Sequence, residues 1–462
     1  MTVSRRHFVK TAGAVALGFS GLHRFLGNWD AGLAFAADKF AGYGELLPDP
    51  EGLINLPQGF SYRIISRIGE EMDDGFLVPG AHDGMAAFLG PQGKTIVVRN
   101  HEISMTADAK MGPFGENHAR FSQIDVQKVY DVGVNGNPGT GGTTTLVYDT
   151  QAQKLERHFL SLVGTLRNCA GGPTPWGSWV TCEETVMRAG DQAVQDHGYC
   201  FEVPARAKIG LANPLPLKAM GRLNHEAIAV DPVSGMVYET EDRGDGLIYR
   251  FIPKTPGELA QGGILQALMV ADQAQLDTRN WDANLVVPGQ NLSVAWVTLE
   301  NVDSPGDDLR QQGFGKGAAR FARGEGMWYG NGAIYFACTN GGKEKKGQIW
   351  KYTPSPLEGA AGEQKKPGML SLFAEPNDGK LVENADNLTV SPWGDVIVCE
   401  DGNEEDRVIG ITPDGHCYTL ALNVKNGSEL AGVTFSPDGS TMFVNVQALG
   451  YTLAITGPWH KA

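Results

Sequence analysis

The sequence predicts an all-β chain folded as a six-bladed β-propeller with inter-blade insertions that carry short helices, and three observations predict it. One unit recurs six times: a polar residue, a short apolar strand, a tight turn, a second strand and a second polar residue. The units open at Asp83, Cys169, Glu226, Glu325, Asp386 and Glu429 and close at Glu102, Glu184, Glu241, Asn340, Asp401 and Asn445. The offset between the two marks is 15 residues in four copies, 16 in the last and 19 in the first, which is one hairpin used repeatedly. Hairpins that recur at such intervals, separated by long irregular insertions, suit radial blades.

Taken in order, residues 37 to about 75 read as a lead-in with one strand, Phe60 to Ser66, placed to close the ring against the last blade. A Gly- and Asn-bearing stretch from Ser104 to Gly142 precedes a strand at Thr144 to Asp149. The clearest hairpins are EAIAVDPVSGMVYETE from Glu226, DNLTVSPWGDVIVCED from Asp386 and ELAGVTFSPDGSTMFVN from Glu429, each with a Pro- and Gly-bearing turn that joins antiparallel neighbours. Residues 255–320 form the largest insertion, with Ala, Leu and Gln enough for two short surface helices, at Glu258 to Gln273 and Asp307 to Phe321. No low-complexity linker or composition break divides residues 37–462, so a single domain is expected. A propeller reaches that size because each blade packs mainly on its neighbours.

The N-terminus reads Ser4-Arg5-Arg6-His7-Phe8-Val9-Lys10, then a mildly apolar run to Leu22 and a small-residue site at Ala34-Phe35-Ala36. These elements, in this order, mark residues 1–36 as a twin-arginine signal peptide. The mature protein is expected in the periplasm or secreted, without a membrane span, after handling by the twin-arginine export machinery. Loss of residues 1–36 removes four basic and one acidic residue, taking the formal charge from -15 to -18. Such a charge argues against nucleic acid and anionic membranes as partners, and against a phosphate ester unless bound cations reverse the local sign.

In a propeller the first strand of each blade starts beside the axis, so the six opening residues converge. Five are carboxylates and the sixth is Cys169. Carboxylates gathered there repel one another unless cations hold them ionised, so the repeat predicts a multi-metal site. Cys169 reads either as a buried structural thiol or as a metal-ligating thiolate, and a thiolate among carboxylates suits iron or zinc better than calcium or magnesium. The other cysteines, Cys182, Cys200, Cys338, Cys399 and Cys417, make no CxxC pair with it or with one another, which excludes zinc ribbons. Cys182, Cys338 and Cys399 read as small buried strand residues. Adjacent Glu183 and Glu184 face opposite ways on a strand, and the common offset selects Glu184; the same offset selects Glu241 over Asp242. Asn-His-Glu occurs at residues 100–102 and 224–226, where His101 and His225 read as orienting the neighbouring carboxylate. Arg323 lies two residues before Glu325, on the same side of an extended chain, with a forked cation that matches either a carboxylate or phosphate oxygens.

The leader together with RNHE, NCAGGPTPWGSWVTCEE, GRLNHEAIAVDP, RGE, ADNLTVSPWGDVIVCEDG and ELAGVTFSPDGSTMFVNVQ resembles the PhoX-type alkaline phosphatases over roughly residues 75–450. The resemblance implies a monomeric six-bladed propeller whose axis holds an iron pair, Fe(3+), with Ca(2+) ions. By motif match, Cys169 corresponds to the iron-ligating cysteine, and Glu184, Glu226, Glu241 or Asp242, Glu325 and Glu429 to the metal-binding carboxylates. Arg323 matches the phosphate-contacting arginine, and Asp386 with Asn387 matches a further family pair. Glu102, as a repeat end, joins the expected metal set. Arg323, Cys169 and Glu325 are the residues expected to take part in the reaction. The motif Arg-Gly-Glu stands where the family has Arg-Pro-Glu. The implied function is metal-dependent hydrolysis of small phosphate monoesters. The competing readings are a calcium-stabilised propeller that only binds a partner, or another hydrolase such as a lactonase or phosphodiesterase. Neither needs a cysteine-bound iron or a phosphate-reading arginine.

Overall fold

The computed structural model describes residues 42–190, 192–402, 405–425 and 427–460. The signal-peptide expectation falls on residues outside this set. Strands dominate, and the only α-helix among the described residues is α1 (Leu309–Gly315).

In chain order the strands fall into a lead-in and six successive groups. The lead-in carries β1 (Leu46–Leu47), β2 (Ile54–Pro57) and β3 (Ser61–Arg67). The first group is β4 (His82–Leu89), β5 (Thr95–His101), β6 (Gly141–Asp149) and β7 (Lys154–Thr165); the second is β8 (Asn168–Pro173), β9 (Ser178–Glu183) and β10 (Cys200–Pro204). The third is β11 (His225–Val230), β12 (Val237–Glu241), β13 (Ile248–Pro253), β14 (Gly263–Val270) and β15 (Asn291–Thr298). The fourth is β16 (Gly324–Gly330), β17 (Ala333–Cys338), β18 (Gln348–Thr353) and β19 (Met369–Ala374). The fifth is β20 (Ala385–Val390), β21 (Val396–Glu400), β22 (Arg407–Ile411) and β23 (Cys417–Asn423), and the last is β24 (Leu430–Phe435), β25 (Thr441–Val446) and β26 (Tyr451–Thr456).

Hydrogen bonding joins these into five sheets in a propeller-like arrangement, where the repeat predicts six separate ones. The reason is that β15 pairs with β19 through Asn291–Ser293 and Met369–Ser371, fusing the third and fourth groups at their outer edges into one nine-stranded sheet. Lead-in strand β3 pairs with β26 and closes the last sheet, in line with the expectation for Phe60 to Ser66. The lead-in holds two more strands than expected, and β2 extends the fifth sheet by pairing with β23. Pairing outer edges in this way leaves fewer open backbone groups for association.

Of the two expected insertion helices, the one within Asp307 to Phe321 is α1. The segment Glu258 to Gln273 is instead a short turn followed by strand β14. Gly262 and Gly263 stop a helix there, and β13 and β15 supply backbone partners on both sides, so tertiary pairing overrides propensity.

The turns follow from local chemistry. In the β11–β12 hairpin the Asp231 carboxylate accepts from the amides of Val233 and Ser234, and Gly235 takes φ +73°. The core lies between neighbouring sheets as separate apolar clusters. One joins Tyr238, Phe321, Phe336 and Trp350, and another Val180, Met220, Leu247 and Tyr249. Each fully buried side chain of this size contributes about 1.5–3 kcal/mol. The first strands β4, β8, β11, β16, β20 and β24 adjoin in cyclic order, β24 returning to β4. That ring brings residues hundreds of positions apart to one place.

Candidate metal centre

Each first strand carries a bulge near its start. The pairing register slips between His82 and Met85, Asn168 and Gly171, His225 and Ile228, Gly324 and Met327, Ala385 and Leu388, and Ala431 and Thr434. A bulged residue is freed from the ladder and re-aimed. Five of the six are Asp83, Cys169, Glu226, Glu325 and Asp386, which is the physical content of the sequence repeat. In the sixth the place is taken by Gly432, at φ +67°, where a Cβ would lie 2.4 Å from the Asp83 carbonyl. Glu429 comes from three residues upstream of the register position and reaches the same group: after burial, repulsion from Asp386 and Asp83 pushes its carboxyl well above the ordinary range. The residue after the bulge is small where strands crowd the axis; a Cβ on Gly326 would lie 2.6 Å from the Leu388 amide.

Three sets of ligand atoms lie within 4.8 Å of one another: Asp83, Glu102 and Cys169; Cys169, Glu184 and Glu226; and Glu226, Glu325 and Asp386. They form a chain, linked through Cys169 and then Glu226. Cys169 Sγ is 3.6 Å from Asp83 Oδ2. Both carboxylate oxygens of Glu226 are buried without a hydrogen-bond partner. Burial, followed by mutual repulsion, pushes the carboxyls of Asp83, Glu226 and Glu325 well above the carboxylate range. Burial and repulsion likewise raise Glu184 to about 8 and Asp386 to about 7. Burial, then Asp83 and Glu226, pushes the Cys169 thiol upward as well. An orphaned buried carboxylate inside a mixed oxygen and sulfur donor set fits a cluster of cations, which would hold every one of these groups ionised.

Neighbouring side chains aim the donors. Gln447 Nε2 donates to Asp83 Oδ2 at 2.9 Å and Glu102 Oε2 at 3.1 Å, and Asn224 Nδ2 donates to Glu184 Oε1 at 3.0 Å. Asn100 Nδ2 donates to the carbonyls of Cys169 and Ala170, holding the bulge in shape. His101 spends both ring nitrogens on the Gly80 carbonyl and Thr144 Oγ1, so it stands behind the centre.

The structure separates the paired acidic residues. Glu183 faces away from the axis and accepts from the amides of Leu166, Gly198 and Tyr199 and from His197, while Glu184 joins the centre. The 15-residue offset also points to Glu241, yet Glu241 is turned away: it accepts from Tyr249 Oη at 2.7 Å and lies 3.5 Å from Arg310 Nη1. Asp242 faces the centre, where it repels Glu184 and Glu325. His225 pairs with Glu241, whereas in the equivalent hairpins Asn168 pairs with Glu183 and Ala385 with Glu400. The β11–β12 turn is one residue longer than the β20–β21 turn, and a one-residue slip reverses the facing of a side chain. Of the remaining repeat ends, Asp401 repels Asp386 and Glu429, Asn340 accepts from Trp281 Nε1 through its carbonyl, and Asn445 donates to the Asp83 carbonyl rather than offering a carboxylate. We expect Asp242→Asn to lower metal retention and Glu241→Gln to leave it intact while costing about 1–3 kcal/mol of stability. Metal analysis beside thermal unfolding separates the two, and the reverse pattern would return Glu241 to the centre.

Two arginines border the centre. Arg323 forks onto Asp242, Nε to Oδ1 at 2.7 Å and Nη2 to Oδ2 at 2.8 Å, and Nη2 reaches Glu325 Oε1 at 3.0 Å. Arg167, which sequence reasoning passes over, binds Glu184 and lies 2.7 Å from Glu102 Oε1. A signal is present, because Arg167 and Arg323 each immediately precede a bulged first strand. Both take positive φ, 45° and 50°, as do Ala81 and Asn384 at the equivalent positions. Such a conformation costs about 1–3 kcal/mol per residue and is retained where surroundings enforce it.

A family model described as alkaline phosphatase PhoX matches residues 41–450. Among solved structures, Pseudomonas fluorescens PhoX in complex with vanadate, a transition state analogue, is similar with a TM-score of 0.64 and 16% identity, covering 88% of this chain and 96% of that one. A Xanthomonas campestris gluconolactonase aligns with a TM-score of 0.39 and 12% identity over 91% of this chain and 99% of that one, a likeness that carries no argument. No curated protein matches the chain.

Proposed function

Since this chain belongs to the alkaline phosphatase PhoX family and is thus a metal-dependent phosphomonoesterase, we propose that the axial cluster is its reaction centre, with iron and calcium as the metals. The observation that carries this is the chain of three donor sets sharing Cys169 and Glu226, with two arginines at its border. The donor chemistry divides the sets. Those that include the Cys169 thiolate suit iron, and the all-oxygen set of Glu226, Glu325 and Asp386 suits calcium. When bound, the cations supply Lewis-acid neutralisation of phosphoryl charge and lower the pKa of water.

The chain's own residues do the positioning. Arg323 presents Nη1, which takes no partner among the described residues, as a free donor for a phosphoryl oxygen, while Asp242 and Glu325 engage its Nε and Nη2. Arg167 presents a second cation from the equivalent position of another strand group and holds Glu102 and Glu184 on one side. Gln447 and Asn224 fix the carboxylates so that the site is organised before substrate arrives. With many carboxylates against two guanidinium groups, a phosphate dianion is excluded until cations are present.

Counted by first strands rather than by sheets, the repeat supports six blades in one domain over residues 37–462. The twin-arginine leader, residues 1–36, supports export to the periplasm, and the family resemblance supports a monomer acting on a small phosphate ester. No helix among the described residues is long and apolar enough to cross a membrane.

The proposal is tested by exhaustive chelation and reconstitution of the purified enzyme. Hydrolysis of a phosphate monoester is expected to vanish with metal and to return with iron and calcium together. Activity that survives metal removal, or that returns with calcium alone, would refute the iron and calcium assignment. A further expected result concerns Arg167→Lys, which keeps the charge and loses the fork. It should lower kcat/KM for the monoester about 10- to 100-fold, the equivalent of about 1.5–3 kcal/mol for a charge-assisted hydrogen bond, at unchanged metal content.

A further inference from the structure

Between the second and third strand groups, away from the axis, lies a second cluster of donors that the reaction does not use. Cys182 on β9 stands directly across from Cys200 on β10, and their Sγ atoms are 3.6 Å apart. The ligand atoms of Cys200, His225 on β11 and Glu239 on β12 lie within 4.8 Å of one another. His225 Nδ1 is 3.4 Å from Glu239 Oε2. All four residues are fully buried. Cys182 and Cys200 belong to an apolar cluster with Met220, Leu223 and Ile228. Neither Glu239 carboxylate oxygen has a hydrogen-bond partner, and neither does His225 Nδ1.

We infer that Cys200, His225 and Glu239 form a buried site for a zinc-type divalent cation, separate from the axial cluster, that ties the second strand group to the third, with the neighbouring thiol of Cys182 turning toward the ion as the fourth donor. Three independent features carry this. A buried carboxylate with both oxygens unpartnered is a costly arrangement in an apolar surround, by several kcal/mol when ionised, and a cation removes that cost. The imidazole is set for ligation: Nε2 donates to the Gly221 carbonyl at 3.2 Å, which leaves the Nδ1 lone pair facing Glu239 and Cys200. The spacings also fit. Bonds of about 2.3 Å to sulfur and about 2.0–2.2 Å to nitrogen and oxygen make tetrahedron edges of about 3.8 Å between two sulfurs and about 3.4 Å between nitrogen and oxygen. The observed spacings are 3.4 Å between His225 Nδ1 and Glu239 Oε2 and 3.6 Å between the two sulfurs, while Cys182 Sγ lies outside the 4.8 Å set of Cys200, His225 and Glu239 and joins it by a side-chain rotation. Thiolate and imidazole donors disfavour calcium and magnesium, and with every donor fully buried the site is structural rather than catalytic.

The placement gives the site a purpose. Cys182 lies two residues before Glu184 on the same chain, His225 immediately before Glu226, and Glu239 three before Asp242. A cation there would fix the strands that present those three carboxylates to the axis. Because the donors come from different strands with no CxxC spacing, sequence alone hides the site.

The test uses the exported holoenzyme. Elemental analysis should find one zinc per chain beyond the axial metals, with X-ray absorption at the zinc edge showing two sulfur neighbours at about 2.3 Å. A mercurial reagent should release that zinc. Glu239→Gln, close in shape, and Cys200→Ser should both lose the zinc and keep the iron and calcium. If either variant fails to fold, the wild-type measurements still decide. Wild-type protein without zinc overturns the inference, as does zinc retained in both variants. A protein two mass units lighter, with Cys182 and Cys200 linked in peptide maps, overturns it in favour of a cross-strand disulfide.

Discussion

Arg323→Ala should lower phosphomonoester turnover by about 10²–10³-fold while the metals stay bound, because one preorganised donor aimed at developing charge is worth about 2.7–4 kcal/mol in a water-poor site. Without cations the guanidinium forks onto Asp242 and touches Glu325. Once cations share those carboxylates, its forked donors become available to the transferring phosphoryl group. The bulk of the loss should fall on kcat rather than KM, since the interaction strengthens as charge develops. Arg323→Lys should recover only part of the rate, since an ammonium cannot span two oxygens in one plane. Paired kinetics and metal analysis check both variants. Loss of metal or of folding in Arg323→Ala would make the arginine a structural partner of Asp242 and nothing more.

Glu226→Gln should remove metal and abolish activity, by about 10³-fold or more, as loss of one member of a group that acts as a unit does. Glu226 belongs to two of the three donor sets, and both of its oxygens are buried without another partner. An amide of the same size keeps the packing and removes the charge that the cations require. In the metal-free protein the sign reverses. There Glu226 only repels Glu325 and Glu184, so the metal-free variant should unfold at a higher temperature than metal-free wild type. Cys169→Ser breaks the other shared vertex and should lower the iron content and the visible charge-transfer colour. The double variant should be little worse than either single one, since each already dismantles the same cluster. Calorimetry with and without chelator, beside metal analysis, checks the set. Full metal retention in Glu226→Gln, or independent additive losses, would mean that the carboxylates act separately and that no shared cluster exists.

Much of this centre is legible in the amino-acid sequence. A strand's period of two and the limited set of turns leave marks at fixed distances, so a hairpin that recurs around a ring is visible as recurring polar residues. Asp83, Cys169, Glu226, Glu325 and Asp386 stand out that way, and the fold brings all five together on bulges of the first strands. The choice of Glu184 over Glu183 follows from the same alternation. Where counting fails, it fails by one residue. Glu241 satisfies the offset, but the longer turn after Val230 moves the register, and Asp242 faces the axis in its place. A turn's extra residue is visible in a sequence, yet whether a strand absorbs it as a bulge or as a slip depends on what packs against that strand.

Local chemistry along the chain thus determined the strands, most turns, the repeat and the residue types at the axis. The tertiary structure alone decided what depends on distant neighbours. The outer strands β15 and β19 fuse two units because they meet edge to edge, and the segment after Gly262 becomes a strand because partners flank it on both sides. Arg167 becomes a counterpart of Arg323 only when the ring lays their strands side by side. Cys200, His225 and Glu239 converge only when two sheets stack. A sequence encodes the facing of each side chain relative to its own strand. Which faces meet is set when apolar burial closes the ring, and no local spacing carries that information.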